Sequence, residues 1–286
     1  MAEGDRAEIP HNEPDLTLSS EPVGAMLTEL HTAVRAALAA PQPANTAPLR
    51  RNPKGDVQQS FDLTAELCAQ GFLRRQAPHG LLLSEESGPL LLGQAPPKLR
   101  FVLDPVDGSD NYGRGLGLSA VCLAVLPMGE LLTAGEVEWG LVGELERATP
   151  LLARRGGGAY RGQTPVRTSG VETIEEAFVS VELNHFAPPP ALCALMARAR
   201  GVRCFGSASR ALSFVATGAL DAHIDIRNRV TAESFFAAAL VVEEAGGCVV
   251  NERGQPLSSA RELTDRFSVI AAATDELAHE IVGALQ

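Results

Sequence analysis

Leu103-Asp104-Pro105-Val106-Asp107-Gly108-Ser109-Asp110-Asn111 is the stretch on which the fold and the chemistry turn. The apolar residues just before it, 101–103, read as a buried strand that ends on a carboxylate. Pro105 follows and blocks further ladder pairing. A second carboxylate, Asp107, comes next, and Gly108 and Ser109 permit a sharp turn that opens a helix. Both acids then face one point, with backbone N–H groups of the next helix aimed at it. Two close carboxylates repel, and one takes up a proton unless a cation sits between them. Oxygen-rich clusters of this kind suit Mg²⁺ or Mn²⁺, and a helix N-terminus beside them suits a phosphate. Taken alone, the same residues also fit a turn with solvated aspartates.

The chain has 286 residues, enough for one large domain or two smaller ones with real cores. Its net charge of −11 argues against nucleic acid or an anionic membrane as partner. The cysteines, Cys68, Cys122, Cys193, Cys204 and Cys248, stand singly without a CxxC pair, as free thiols in a reducing cytoplasm do. No apolar run approaches the roughly 20 residues of a membrane span. The acidic N-terminus lacks the hydrophobic segment of a secretory signal.

Residues 1–21 are polar and proline-containing and read as a disordered tail. From Pro22 the apolar residues Val23, Met26, Leu27, Leu30, Val34 and Leu38 recur at helical spacing. Arg50, Arg51 and Lys54 form a small basic cluster in a solvated loop. Asp56 and Asp62 precede a helix through Leu63, Leu67 and Phe72. Residues 80–84 form a short strand that ends in Glu85-Glu86-Ser87. Residues 118–126, 135–139 and 144–152 read as strands of an antiparallel sheet, with turns at Gly140 and Gly143. The glycine-rich stretch 156–162 is a hairpin turn; it lacks the Lys-Ser/Thr ending of a phosphate loop. Residues 168–175 mark a boundary, dividing an antiparallel-rich half, 22–168, from an α/β half, 169–286. The second half alternates strand 178–183, helix 191–199, strand 202–205, a helix opened at 206–210, and strand 220–226 with Asp225 at its end. A helix with a glycine C-cap at Gly246-Gly247 follows, then strand 268–272 and helix 275–285.

Asp104-Pro-Val-Asp107-Gly-Ser109 with Asn111-Tyr112 resembles the DPxDG(S/T)xNF signature of the inositol monophosphatase family. That family includes archaeal-type fructose bisphosphatases and phosphoadenosine phosphatases. Other stretches are similar in the same order. Asp56 and Asp62 match a pair of aspartates, and Ser84-Glu85-Glu86-Ser87 matches GEES with serine for glycine. Residues 156–162 are similar to GxGAYxNG, Gly206-Ser207-Ala208 to G(S/T)A, Asp225-Ile-Arg227-Asn228 to DxRN, and residues 244–247 to EAGG. The resemblance spans 22–286.

The resemblance implies a layered α/β (α+β) sandwich of the sugar-phosphatase type, with a metal cleft between its halves. It implies a metal-dependent hydrolase of the phosphate monoester of a small sugar or inositol. One Mg²⁺, or Mn²⁺, would bind Glu85, Asp104 and the Val106 carbonyl, and a second would bind Asp104 and Asp107. Ser109 and Asp62 would position the attacking water, and the N–H groups of Gly108 and Ser109 would hold the phosphate. Gly206, Ser207 and Ala208 would line the substrate pocket, and Asp225 would bond substrate hydroxyls. Family members are often homodimers.

The pattern breaks at one place. In the family an aspartate opens the helix that ends in EAGG and completes the second metal site. Here that position holds Ser234, with Glu233 before it. Serine is neutral and a poorer ligand for a hard cation, and neighbouring helix positions point about 100° apart. Two alternatives to a sugar phosphatase therefore stand beside it. One is a non-catalytic member that binds a phosphorylated ligand. The other is a nucleotide phosphatase of the phosphoadenosine type. Phe235 and Phe236 follow where the family has small residues.

Overall fold

The computed structural model describes residues 21–40, 51–52, 57–93 and 95–286. The tail expected over 1–21, apart from Glu21, lies outside the described residues, as do Arg50, Lys54 and Asp56.

Helix α1 (Glu21–Ala39) buries the expected stripe from Val23 to Leu38. It packs against α2 (Ser60–Gln76). On α2 the expected apolar face is only partly right. Leu63 and Leu67 are exposed, while Asp62, Ala65, Glu66, Ala69, Phe72 and Leu73 are buried. The inner face of α2 carries two acids because they serve the site described below.

One sheet follows: β1 (Gly80–Ser84), β2 (Gly88–Leu91), β3 (Leu99–Asp107), β4 (Ala120–Pro127), β5 (Trp139–Glu144), β6 (Leu151–Arg154), β7 (Gly158–Arg161) and β8 (Thr164–Pro165). Its order is β2-β1-β3-β4-β5-β6-β7-β8. The β1–β3 pair is parallel and the other pairs are antiparallel. Helix α3 (Ser109–Gly113) comes directly after β3. A second sheet holds β9 (Phe178–Val181), β10 (Gly201–Arg203), β11 (Ala222–Val230), β12 (Cys248–Val250) and β13 (Phe267–Ala272), in the order β10-β9-β11-β13-β12.

Helices α5 (Ala208–Ala216) and α6 (Ala232–Glu244) lie between the sheets. Helices α1 and α2 cover the outer face of the first sheet. Helices α4 (Pro190–Arg198) and α7 (Asp275–Leu285) cover that of the second. The result is a layered α/β sandwich. From Phe235 to Val242 every residue of α6 is buried, as befits a helix with sheets on both sides. Phe235 and Phe236 pack edge-on against each other and against Phe267 of β13.

Three expectations are corrected. Pro105 does not end the ladder: β3 continues to Asp107, which pairs with Ala120, through a register shift between Asp104 and Asp107. A bulge is where a strand tolerates proline. Residues 134–136 form a short 3₁₀ turn rather than the start of a strand. Gly140 and Gly143 are not turns but lie inside β5. A Cβ on Gly140 would meet the Ala237 carbonyl oxygen at 2.6 Å, and one on Gly143 would meet the His31 ring at 2.5 Å. These glycines let α6 and α1 approach opposite faces of the strand.

Candidate active site: a carboxylate cluster at the end of β3

The bulge in β3 places Asp104, Val106 and Asp107 at its end, and Val106 N–H donates to Asp104 Oδ1 at 3.1 Å. Gly108 then turns the chain in left-handed backbone, φ 82°. A Cβ there would meet the Leu118 carbonyl oxygen at 2.7 Å and Ser207 Cβ at 3.0 Å, so a side chain is excluded twice over. Ser109, the first residue of α3, is thereby aimed at two acceptors. Its hydroxyl lies 2.9 Å from Asp62 Oδ1 and 2.8 Å from the Val106 carbonyl oxygen, and its single proton serves one of them at a time.

Asp62 sits in the first turn of α2, two residues inside the helix rather than at its cap. Gln59 N–H donates to its Oδ2 at 2.9 Å, in a capping-box arrangement. Burial pushes the Asp62 carboxyl up to about 6, and the charges of Glu85 and Asp110 add to the shift. A carboxylate poised there accepts a proton readily near neutral pH.

Asp107 is fastened across the molecule to the start of α5. Its Oδ2 accepts from the Ser207 hydroxyl at 2.6 Å, Ser209 N–H at 2.8 Å and the Ser209 hydroxyl at 2.5 Å. Burial pushes its carboxyl up against these donors, and the charge of Glu85 adds to the rise. Asp104 Oδ2 accepts from the Ser234 hydroxyl at 3.0 Å. Glu233, one residue earlier on α6, is buried and accepts from the Thr231 hydroxyl at 2.6 Å. Ser234, not Glu233, therefore faces Asp104.

Glu85 lies in the turn after β1, and its N–H donates to the Leu103 carbonyl at 3.1 Å. The turn is gripped by a residue that sequence reading missed. Buried Glu66 of α2 accepts from Ser84 and Ser87, both at 2.6 Å, and from Gln70 at 2.7 Å. Glu86 in the same turn accepts from Gln58 at 2.7 Å, and burial pushes it up to about 7.

Asp107, Ser207 and Ser234 open onto a cavity of about 220 Å³ that also touches Asn184, Asp225 and Arg227. Gly206 and Ala208 line it too, and Gly206 N–H donates to Glu182 Oε2 at 3.1 Å. Asp225 holds Arg227 in a fork, with Nε at 2.9 Å and Nη2 at 2.8 Å. Strand β11 does not end at Asp225 but runs on to Val230, with a register shift after Asp225. Asn111 of the central motif donates to the Phe205 carbonyl at 2.7 Å, tying α3 to the loop before α5. A further tie is a buried cluster around Glu144 of β5, which pairs with Arg210 of α5 and with Arg161, and with Arg147 at 3.2 Å. No local sequence signal marked Glu66, Ser209, Arg210 or Glu182, because isolated polar residues in helices and strands are common.

Oxygen is the only donor type that Glu85, Asp104, Val106 and Asp107 offer, which is the chemistry of a hard cation site. Among the described residues, no three acidic, histidine or cysteine side chains already stand as a closed cage. Asp104 and Asp107 instead spend oxygens on serine hydroxyls. None of the described helices is long and apolar enough to cross a membrane.

The layered fold with this cluster at the end of its central strand is that of a sugar-phosphatase scaffold. Residues 24–286 match the model of the inositol monophosphatase family, and the chain belongs to that family. It is 31% identical over 236 residues to a fructose-1,6-bisphosphatase/inositol-1-monophosphatase of Thermococcus kodakarensis, covering 82% of this chain and 85% of the relative. It is 29% identical over 239 residues to the protein of the same name from Methanothermobacter thermautotrophicus, covering 81% and 84%. Among solved structures, the extragenic suppressor protein SuhB of Bartonella henselae superposes with a TM-score of 0.77 at 22% identity, over 93% of this chain and 98% of that one.

Proposed function

We propose that this protein hydrolyses the phosphate monoester of a small sugar or inositol phosphate, with a cation site whose second half is degenerate. The observation that carries the reading is the Ser109 hydroxyl held 2.9 Å from the buried Asp62 carboxyl, beside the acids of β3. Family membership and the names of the relatives support it.

Glu85, Asp104 and the Val106 carbonyl would hold one Mg²⁺, or Mn²⁺, and Asp104 and Asp107 would hold a second, more weakly. Bound there, the cations would supply charge neutralisation and a lowered water pKa. Asp62 takes a proton through the Ser109 hydroxyl and orients the attacking water. The N–H groups of Gly108 and Ser109 hold phosphate oxygens. The cavity beside Ser207 receives the sugar, with Gly206 and Ala208 as its wall. Asp225 fixes Arg227 and meets substrate hydroxyls with it. Phosphoryl transfer depends mainly on positioning and charge stabilisation, so a serine at 234 slows turnover without removing the other parts.

A second reading, a non-catalytic ligand binder, is favoured by one observation: Ser234 satisfies Asp104 with a hydroxyl where the resemblance to the family leads us to expect a carboxylate. A nucleotide substrate is the other alternative, and a bifunctional NADP phosphatase/NAD kinase of Methanococcus maripaludis is 25% identical over 240 residues, 79% of this chain and 42% of that one. The proposed setting is a homodimer in a reducing cytoplasm, in keeping with five free thiols. A phosphate-release assay over inositol 1-phosphate, fructose 1,6-bisphosphate and 3′-phosphoadenosine 5′-phosphate tests the proposal. Release from a sugar phosphate is expected. Cation binding without release from any substrate overturns it in favour of the binder.

A further inference from the structure

A second polar cavity, of about 180 Å³, lies along the same strand as the cleft. Along β11, Arg227 and Arg229 line the cleft, and the intervening Asn228 lines this second cavity in left-handed backbone, φ 53°. Nothing in the hydrolytic reading uses it.

Its lining is rich in donors. Ser268 is only 8% exposed and faces the cavity, yet its hydroxyl bonds to no described residue. The hydroxyl opens to the cavity and is available to a ligand oxygen. Asn251 Oδ1 accepts from Arg253 N–H at 2.9 Å and Gln255 N–H at 3.0 Å. Its carbonyl side is thus spent, and its NH₂ group remains as a donor. Arg253 and Arg266 complete the rim. The acid in the lining, Glu252, stands 3.7 Å from the Arg253 guanidinium and is offset by it. Two guanidinium groups with amide and hydroxyl donors match an oxyanion, and phosphate best of all. With Glu252 offsetting Arg253, the lining keeps a net charge of one positive unit, carried by Arg266. Arg266 also donates to the Arg229 carbonyl at 3.4 Å, so an anion drawing on Arg266 acts next to a residue of the cleft.

We infer that this cavity, formed by Asn228, Asn251, Arg253, Arg266 and Ser268, is a second phosphoryl-binding site, separate from the hydrolytic cleft and sized for a small phosphate ester. The inference stands on this cavity alone and is independent of whether the cleft is catalytic.

Inorganic phosphate is the probe. The full chain, in chelator, is titrated while backbone amide shifts are followed by NMR, in the original protein and in the Arg253→Gln/Arg266→Gln double variant. Both arginines are exposed, so the variant folds. Saturable shifts at Asn228, Asn251 and Ser268 are expected, with affinity at these amides falling about tenfold or more in the variant. Shifts at Gly108 and Ser207 are expected to be unchanged between the two proteins. The inference is overturned by absence of saturation at the three amides, by equal affinity in the variant, or by sodium chloride at matched ionic strength reproducing the shifts.

Discussion

Ser234 donates its hydroxyl to Asp104 Oδ2 at 3.0 Å, joining the first turn of α6 to the end of β3. The contact puts a neutral group at the position where the resemblance to the inositol monophosphatase family leads us to expect an acid. In the cation-free protein the hydroxyl relieves Asp104, whereas a carboxylate at that distance would repel it.

Ser234→Asp therefore has opposite effects with and without cation. In chelator the melting temperature should fall, because two carboxylates meet without a counter-charge. With millimolar Mg²⁺ it should rise by more than that of the original protein, and turnover should increase about tenfold or more, in line with one added charge contact. Equal Mg²⁺-induced shifts in both proteins would show that position 234 does not face a cation. Differential scanning calorimetry with and without Mg²⁺ makes the comparison.

Asp62 gives a prediction with a definite sign. Its folded carboxyl sits at about 6, above the ordinary 3.8, because of burial. The folded state therefore disfavours its charged form. The penalty is absent below about pH 4, grows as pH rises to 6, and is complete above that. In chelator, Asp62→Asn should raise stability at pH 7–8, by at most about 3 kcal/mol and less by the acceptor it loses, and change little at pH 4. Activity of the same variant should fall by about 10² or more, as for loss of a general base. The rate of the original enzyme should decline as pH drops through 6 or somewhat below, since a bound cation lowers the carboxyl further. Stability that is equal at pH 4 and pH 7.5 in both proteins would contradict the burial argument.

Glu144 is 2% exposed and faces Arg210, Arg161 and Arg147. Glu144→Gln would leave the arginines around it without their shared counter-charge and should cost about 3 kcal/mol or more. Arg147→Gln should cost well under about 1 kcal/mol, because Arg147 is 61% exposed in its side chain. Urea titration of the two variants checks the order; equal losses would count against a buried network.

How far the sequence could be read depended on where the information lay. The stripe from Val23 to Leu38 specified α1, and residues 275–285 specified α7, because each is set by local periodicity. The resemblance to the family singled out Ser234, by alignment on the EAGG ending, and the hydroxyl there meets Asp104. Gly140 and Gly143 misled because a glycine reads locally as a turn, whereas here it is required by the Ala237 backbone and the His31 ring from distant segments. Glu66, Ser209 and Arg210 were invisible for the same reason. Their partners, Ser84, Asp107 and Glu144, are brought to them only by the packing of the layers.

Gly140→Ala turns that lesson into a measurement. Its Cβ would lie 2.6 Å from the Ala237 backbone carbonyl, which cannot rotate away. The substitution should cost about 1–3 kcal/mol by overpacking. Gly135→Ala, with open space around it, should be close to neutral. Thermal melts of the pair decide this, and similar midpoints would contradict the close approach of α6 to β5.

The most direct test is phosphate release from fructose 1,6-bisphosphate and inositol 1-phosphate as Mg²⁺ is titrated, in the original protein and in Asp104→Asn. The expected result is saturable, Mg²⁺-dependent release that the variant loses by about a hundredfold or more. Release that is indifferent to Mg²⁺, or equal in the two proteins, would contradict the assignment of the β3 acids to the chemistry.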